Sequence, residues 1–152
     1  EFPAWGKITS LNLSDQKKGS LSDTIGNLSE LQKLYLYKNK LKTLPLAIGN
    51  LQKLEYLNLD ANRLNEWPEG LSELKNLKEL NLDNNQLEKI PASISKLENL
   101  EWLSIQNNPI KKLPPEIWQC KKLKKISCSA NTILARNLAL GELIRTLTRR
   151  DL

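Results

Sequence analysis

The sequence predicts an α/β solenoid, in which short strands stack into one parallel sheet and short helical turns return along the opposite side. Three observations carry that expectation. Between Leu31 and Asn131 the chain repeats every 23 residues, and a fixed period of this length signals stacked units that cannot bury their apolar faces alone. Apolar columns run through the units: Leu31, Leu54, Leu77, Leu100 and Leu123; Leu34, Leu57, Leu80, Leu103 and Ile126; Leu36, Leu59, Leu82, Ile105 and Cys128. Two further columns keep the same register, one of Asn39, Asn62, Asn85, Asn108 and Asn131, the other of Pro45, Pro68, Pro91 and Pro114.

The elements follow in chain order. Counting back one period from Leu31 gives a degenerate first unit. Ile8, Leu11, Leu13, Leu21, Ile25 and Leu28 keep their columns, but Gln16 replaces the Asn, Lys18 an apolar residue and Ser22 the Pro. A terminal repeat is expected to be atypical because its outer face meets water; Phe2, Pro3 and Trp5 are suited to cover the open end of the core. Residues 1–30 are thus assigned to an N-terminal cap with a degenerate first repeat, and residues 31–131 to the regular repeats, within one domain.

Inside a unit, the alternation in L-x-L-x-x-N predicts one short strand with Leu34 and Leu36 facing inward. Units stacked at about 4.7–4.9 Å give a parallel sheet of about six strands. Asn39 and its equivalents stand where the chain turns off the sheet. An amide that both donates and accepts can serve the loop backbone there, so the Asn column is expected to form a structural ladder. Proline cannot donate to a strand ladder and marks the return segment. Behind each Pro, Ile48, Leu71, Ile94 and Ile117 are expected to seal the core from the convex side on short helical turns. Beyond the repeats, Leu134, Leu138, Leu140, Leu143, Ile144 and Leu147 include helical spacings and predict an amphipathic C-terminal capping helix over residues 132–152. Gly141 weakens that helix by about 1 kcal/mol against Ala.

A full unit reads L-x-x-L-x-L-x-x-N-x-L-x-x-L-P-x-x-I-x-x-L-x-x, as in LQKLYLYKNKLKTLPLAIGNLQK from Leu31 to Lys53. Over roughly residues 8–131 this resembles the leucine-rich repeat family. Runs such as LQKLYLYKNKLKTLP and LKELNLDNNQLEKIP are most similar to the repeats of spirochaete proteins and of Ras-group proteins. The resemblance implies a right-handed superhelix, a horseshoe arc with the sheet on its concave face, and a role in protein–protein interaction.

Composition bounds the remaining classes. No run of 18 apolar residues is present, so no membrane-spanning helix is expected. No signal peptide is expected within these residues either. The chain contains no Met, which fits a mature exported form or an excised domain and leaves the compartment open; a monomer is expected. The formal charge of +6 is uneven: from Lys111 onward ten Lys and Arg face only Glu116, Glu142 and Asp151, leaving about −1 for residues 1–110. A basic end can attract nucleic acid or anionic lipid, but a solvated, solubilising cap is the expected reading, and no nucleic-acid motif accompanies it. Cys120 and Cys128 occupy apolar columns and are expected as packing residues; a disulfide between them is the alternative. No His is available to activate a thiol, and no Gly-rich phosphate loop is present. An enzyme is therefore not expected, nor a cofactor.

Function should lie on the strand residues that point out of the sheet. Three rows can be written: Ser10, Lys33, Tyr56, Glu79, Trp102 and Lys125; Asn12, Tyr35, Asn58, Asn81, Ser104 and Ser127; Ser14, Tyr37, Asp60, Asp83, Gln106 and Ser129. All three Tyr of the chain fall in them. Tyr and Trp combine large apolar area with a polar handle and mark contact surfaces, although cross-strand packing of the Tyr cluster is an alternative. Asp60, Glu79 and Asp83 form an acidic middle, followed by Trp102 and Gln106. Asp60 and Asp83 could hold a divalent cation, share acid/base work, or form a solvated acidic patch. Trp67, in a column with Leu44, Ile90 and Leu113, is expected in the core, and Trp118 partly exposed on the convex side. The sequons Asn12-Leu13-Ser14 and Asn27-Leu28-Ser29 are short enough to arise by chance.

The reading that follows is a non-catalytic module binding a protein ligand through Tyr35, Tyr37, Tyr56, Asp60, Glu79, Asp83, Trp102 and Gln106. The alternatives are a recognition fragment of a larger signalling or effector protein, and an anionic partner held at the basic end.

Overall fold

The computed structural model describes residues 7–129. Six three-residue strands form one parallel sheet in sequence order: β1 (Ser10–Asn12), β2 (Lys33–Tyr35), β3 (Tyr56–Asn58), β4 (Glu79–Asn81), β5 (Trp102–Ser104) and β6 (Lys125–Ser127). Each pairs with the next in a register that places residue i beside residue i+23, as in Leu34 beside Leu57 and Leu57 beside Leu80. The ladder continues beyond the strands, with Leu36 N–H donating to Asn58 O at 2.8 Å and Lys38 N–H to Asp60 O at 2.9 Å. The inward leucines of the central coils, among them Leu34, Leu57, Leu59 and Leu80, have no exposed surface. Fully burying one such side chain contributes about 1.5–3 kcal/mol, so the continuous apolar column is what holds the coils in a stack.

Among the described residues, the convex side carries five 3-10 turns, Asp23–Asn27, Leu46–Asn50, Glu69–Glu73, Ala92–Lys96 and Pro115–Gln119. The helical segments are short because a 23-residue unit leaves few residues for the return; short 3-10 pieces commonly serve as such connectors. Pro45, Pro68, Pro91 and Pro114 stand at their N-caps in extended conformation, where the missing N–H costs nothing. In the degenerate first unit Ser22 takes that place, and its hydroxyl accepts from Thr24 N–H at 3.3 Å. Ile48, Leu71, Ile94 and Ile117 are fully buried beneath these turns. Glycine permits the tightest approaches: a Cβ at Gly26 would lie 2.7 Å from Ala47 O, and one at Gly70 would lie 2.6 Å from Ile48 Cγ2.

At the exit from the sheet the backbone takes a left-handed conformation at Asp15, Lys38, Ala61, Asn84 and Asn107, with φ between 53° and 55°, and the degenerate first coil adds a second such residue, Lys17, at φ 56°. Asn tolerates this region; Lys and Ala pay for it sterically.

Some expectations change. Trp67 is not enclosed with its column partners but half-buried at the surface, packed against the core from one side. An indole is too large for a slot that Leu44, Ile90 and Leu113 fill. Ser104, read as an outward position, is 1% exposed. Cys120 is buried and donates its thiol hydrogen to Ile94 O at 3.3 Å, Cys128 is partly buried, and no disulfide joins them; burial pushes the Cys128 pKa up. Trp118 is partly buried. The capping helix over 132–152, Asn131, and the cap residues Phe2, Pro3 and Trp5 lie outside the described residues.

Candidate functional site

The strand register stacks the outward residues into rows across the concave face. Lys33, Tyr56, Glu79, Trp102 and Lys125 are successive Cα partners, and so are Tyr35, Asn58, Asn81, Ser104 and Ser127. At the N-terminal half, Tyr35 and Tyr56 come together with ring centroids 5.1 Å apart and planes tilted by 44°. That separation lies in the range of favourable aromatic pairs. The Tyr56 hydroxyl accepts from Asn58 Nδ2 at 3.3 Å, and Tyr37, two residues beyond Tyr35 and just past the end of β2, is half-buried.

The acidic middle is less open than a row of free carboxylates. Asp83 Oδ1 accepts from Ser104 Oγ at 2.7 Å and from Gln106 N–H at 2.7 Å. Asp60 Oδ1 accepts from Asn84 Nδ2 at 2.7 Å, and Asn84 Oδ1 in turn accepts from Asn107 Nδ2 at 2.8 Å. Asp60 and Asp83 therefore tie each coil to the next one, whereas Glu79 and Gln106 present exposed side chains. Among the described residues, no group of three or more His, Cys, Asp or Glu is gathered to hold a metal ion.

Toward the other end, Trp102 Nε1–H donates to Ser127 Oγ at 3.2 Å, and the Lys125 ammonium lies 5.8 Å from the Trp102 ring centroid. The cation–π contact and the hydrogen bond fix the indole as a flat apolar element on the sheet. The concave face thus carries two aromatic stations, Tyr35 with Tyr37 and Tyr56, and Trp102, with the hydrogen-bonded Asp60 and Asp83 between them. The roles of Ser104, Asn84 and Asn107 escaped the sequence reading; the one signal for them was Asn at the left-handed position of two successive units.

Behind this face the Asn column bonds the backbone of neighbouring coils. Asn62 Oδ1 accepts from Leu41 N–H at 3.1 Å, while its Nδ2 donates to Leu36 O at 2.9 Å and Leu59 O at 3.1 Å. Asn85 and Asn108 repeat the arrangement, accepting from Leu64 N–H and Leu87 N–H at 3.0 Å each. Asn39 accepts from Lys18 N–H at 2.9 Å and from Gln16 N–H at 3.2 Å. On the flank, Glu–Lys pairs bridge successive coils at 2.6–3.0 Å, namely Glu30–Lys53, Glu55–Lys78, Glu73–Lys96 and Glu101–Lys124. The Lys124 hydrogen bond and charge, aided by Lys78 and Lys122, hold the Glu101 carboxyl below its ordinary pKa.

Family models supply the decisive comparison. A leucine-rich repeat region matches residues 7–85, a leucine rich repeat matches 68–110, and two copies of leucine rich repeats match 98–140. The chain belongs to the leucine-rich repeat family.

Among solved structures, a leucine-rich repeat protein of Leptospira interrogans is 36% identical, with 81% of this chain and 37% of that one covered at a TM-score of 0.62. The leucine-rich repeat ectodomain of the receptor kinase SOBIR1 of Arabidopsis thaliana is 34% identical, covering 82% and 71% at 0.68. The leucine-rich repeat domain of the type III effector XopL is 32% identical, covering 84% and 46% at 0.73. The chain therefore spans less than half of the Leptospira protein and of the effector domain. No curated protein sequence matches the chain significantly. Leucine-rich repeat folds generally mediate protein–protein interaction and are typically non-catalytic. No helix among the described residues is long and apolar enough to cross a membrane.

Proposed function

We propose that this leucine-rich repeat solenoid is a non-catalytic protein-binding module that engages its ligand on the concave face. Tyr35, Tyr37, Tyr56 and Trp102 act as apolar anchors. Glu79 and Gln106 supply exposed polar contacts, and Asp60 and Asp83 supply charge complementarity from within their hydrogen-bonded coil contacts. The observation that carries this reading is the Tyr35–Tyr56 pair, 5.1 Å between centroids on the outer side of the sheet. Aromatic side chains with little conformational freedom dominate the energetics of protein interfaces. The Asn ladder of Asn39, Asn62, Asn85 and Asn108 acts as scaffold, keeping successive coils in register beneath that surface.

The test compares quantitative affinity capture by the wild type with capture by a Tyr37→Ala/Tyr56→Ala variant whose circular dichroism and melting are unchanged. A captured protein that the variant loses, and that binds the purified wild type directly, supports the concave face. A direct ligand held equally by both overturns it. A second reading, recognition within a longer signalling or effector protein, is favoured by the 37% and 46% coverage of the Leptospira protein and the effector domain. It is compatible with the same concave surface.

A further inference from the structure

Trp67 interrupts an aliphatic column and, half-buried at the surface, lines a groove of about 860 Å³ on the flank between the third and fourth coils. The neighbouring units carry aliphatic residues at this position. Leu44, Ile90 and Leu113 are buried in the same column, while Trp67 lines the groove together with Pro91. The indole N–H donates to Ser72 Oγ at 3.2 Å, and Ser72 in turn donates to Ser93 Oγ at 2.8 Å. Ser72 is 4% exposed, so the polar edge of the indole is bonded within the protein and the ring surface is what remains for a ligand.

The walls are acidic. Glu66, Glu69, Glu73 and Glu88 line the groove against Lys89 and Lys96, and Lys96 is already paired with Glu73 at 3.0 Å. Three carboxylates therefore face one unpaired-sign counterpart, Lys89, around an aromatic floor. A flat indole beneath an excess of carboxylates is complementary to a planar cation. A guanidinium stacks on the ring and presents its N–H fork to the carboxylates. An anionic or purely apolar occupant would leave those carboxylates repelled or desolvated.

We propose that this groove is a second interaction site, distinct from the concave face, that takes an arginine side chain of a basic peptide segment in a partner protein. The arginine lies over Trp67 and is held by Glu66, Glu69 and Glu88.

The probe is a tetra-arginine peptide amide titrated into isotope-labelled protein at low salt, read by nuclear magnetic resonance. Saturable shifts are expected at the Trp67 indole N–H and at the Ser72 and Ser93 amides. Trp67→Leu restores the residue type that its column accepts at Leu44 and Leu113, so it retains the fold. Its affinity is expected to fall about tenfold, between the scales of an exposed and a desolvated cation–π contact. Glu66→Gln/Glu88→Gln weakens binding as well, and Lys89→Gln strengthens it by removing the opposing charge. Sodium chloride at about 0.5 M weakens the wild type more than the double Gln variant, because added salt screens exposed charges. Shifts confined to Glu79, Asp60 and Asp83 on the concave face overturn the proposal. So does a Trp67→Leu affinity equal to that of the wild type. Self-association that Trp67→Leu abolishes would assign the groove to a second copy of this chain and overturn it too.

Discussion

Truncating Asn62 to Ala tests whether the Asn column holds the coils together. Besides a long bond to Asp60 O at 3.4 Å, the wild-type amide makes three shorter bonds to backbone: one accepted from Leu41 N–H at 3.1 Å, and two donated, to Leu36 O at 2.9 Å and Leu59 O at 3.1 Å. The two carbonyls keep a second partner, since Asn39 Nδ2 donates to Leu36 O at 3.0 Å and Asn85 Nδ2 to Leu59 O at 2.9 Å. Leu41 has no exposed surface, so its N–H is stranded without water. A stranded buried donor costs about 1–3 kcal/mol and each weakened carbonyl about 0.5–1 kcal/mol, together about 2–5 kcal/mol. For a chain of this size that lowers Tm by roughly 5–15 °C. Urea unfolding followed by far-ultraviolet circular dichroism measures the loss at pH 7. Asn58→Ala is the control: its Oδ1 accepts from Asp60 N–H at 2.9 Å in a half-exposed turn, and its loss is expected below about 1 kcal/mol. Asn62→Asp should destabilise more than Asn62→Ala, because it places a charge where donors are needed. An Asn62→Ala loss no greater than that of Asn58→Ala would refute the ladder as the device that joins the coils.

Two further outcomes follow from other observations. Ala61 sits at φ 55° where the next two units have Asn84 and Asn107; Ala61→Asn is expected to raise stability by about 0.5–1 kcal/mol through relief of left-handed strain, read as a higher urea midpoint. Lys124→Ala should raise the Glu101 pKa toward the ordinary carboxylate value in a side-chain carbon titration, because the Lys124 hydrogen bond is the largest cause of its depression. The depressed pKa means that the stabilisation from Glu101 is present above its unfolded pKa and fades as pH falls through the folded one, so the acid limb of the wild-type stability curve should flatten in Lys124→Ala.

The fold was legible because one number governs it. With residue i stacked beside residue i+23, the columns of Leu34, Leu57 and Leu80 name the core, and the residues between them name the outward rows. Even the departures in the first unit had meaning, since Ser22 replaces the proline cap with a hydroxyl cap. The candidate surface was less legible. Column logic treated Trp67 as one more core residue and Ser104 as one more outward residue. Both assignments failed for reasons of size and pairing: the indole exceeds its slot, and Ser104 is drawn under Asp83 by a 2.7 Å hydrogen bond. Likewise Asp60 and Asp83 looked like equivalent carboxylates, but Asp83 accepts two bonds and Asp60 accepts one from Asn84.

The sequence by itself determined the stacked architecture, the identity of the inward leucines and the placement of Tyr35, Tyr56 and Trp102 on one sheet face, because periodicity is a property of the chain. The tertiary structure alone decided which outward groups are available. Lateral contacts such as Tyr35 with Tyr56, Lys125 over Trp102 and Trp67 against Ser72 depend on the volume and reach of particular side chains across a coil spacing. A repeat pattern specifies which residues are neighbours, but packing and hydrogen-bond distance settle what those neighbours do.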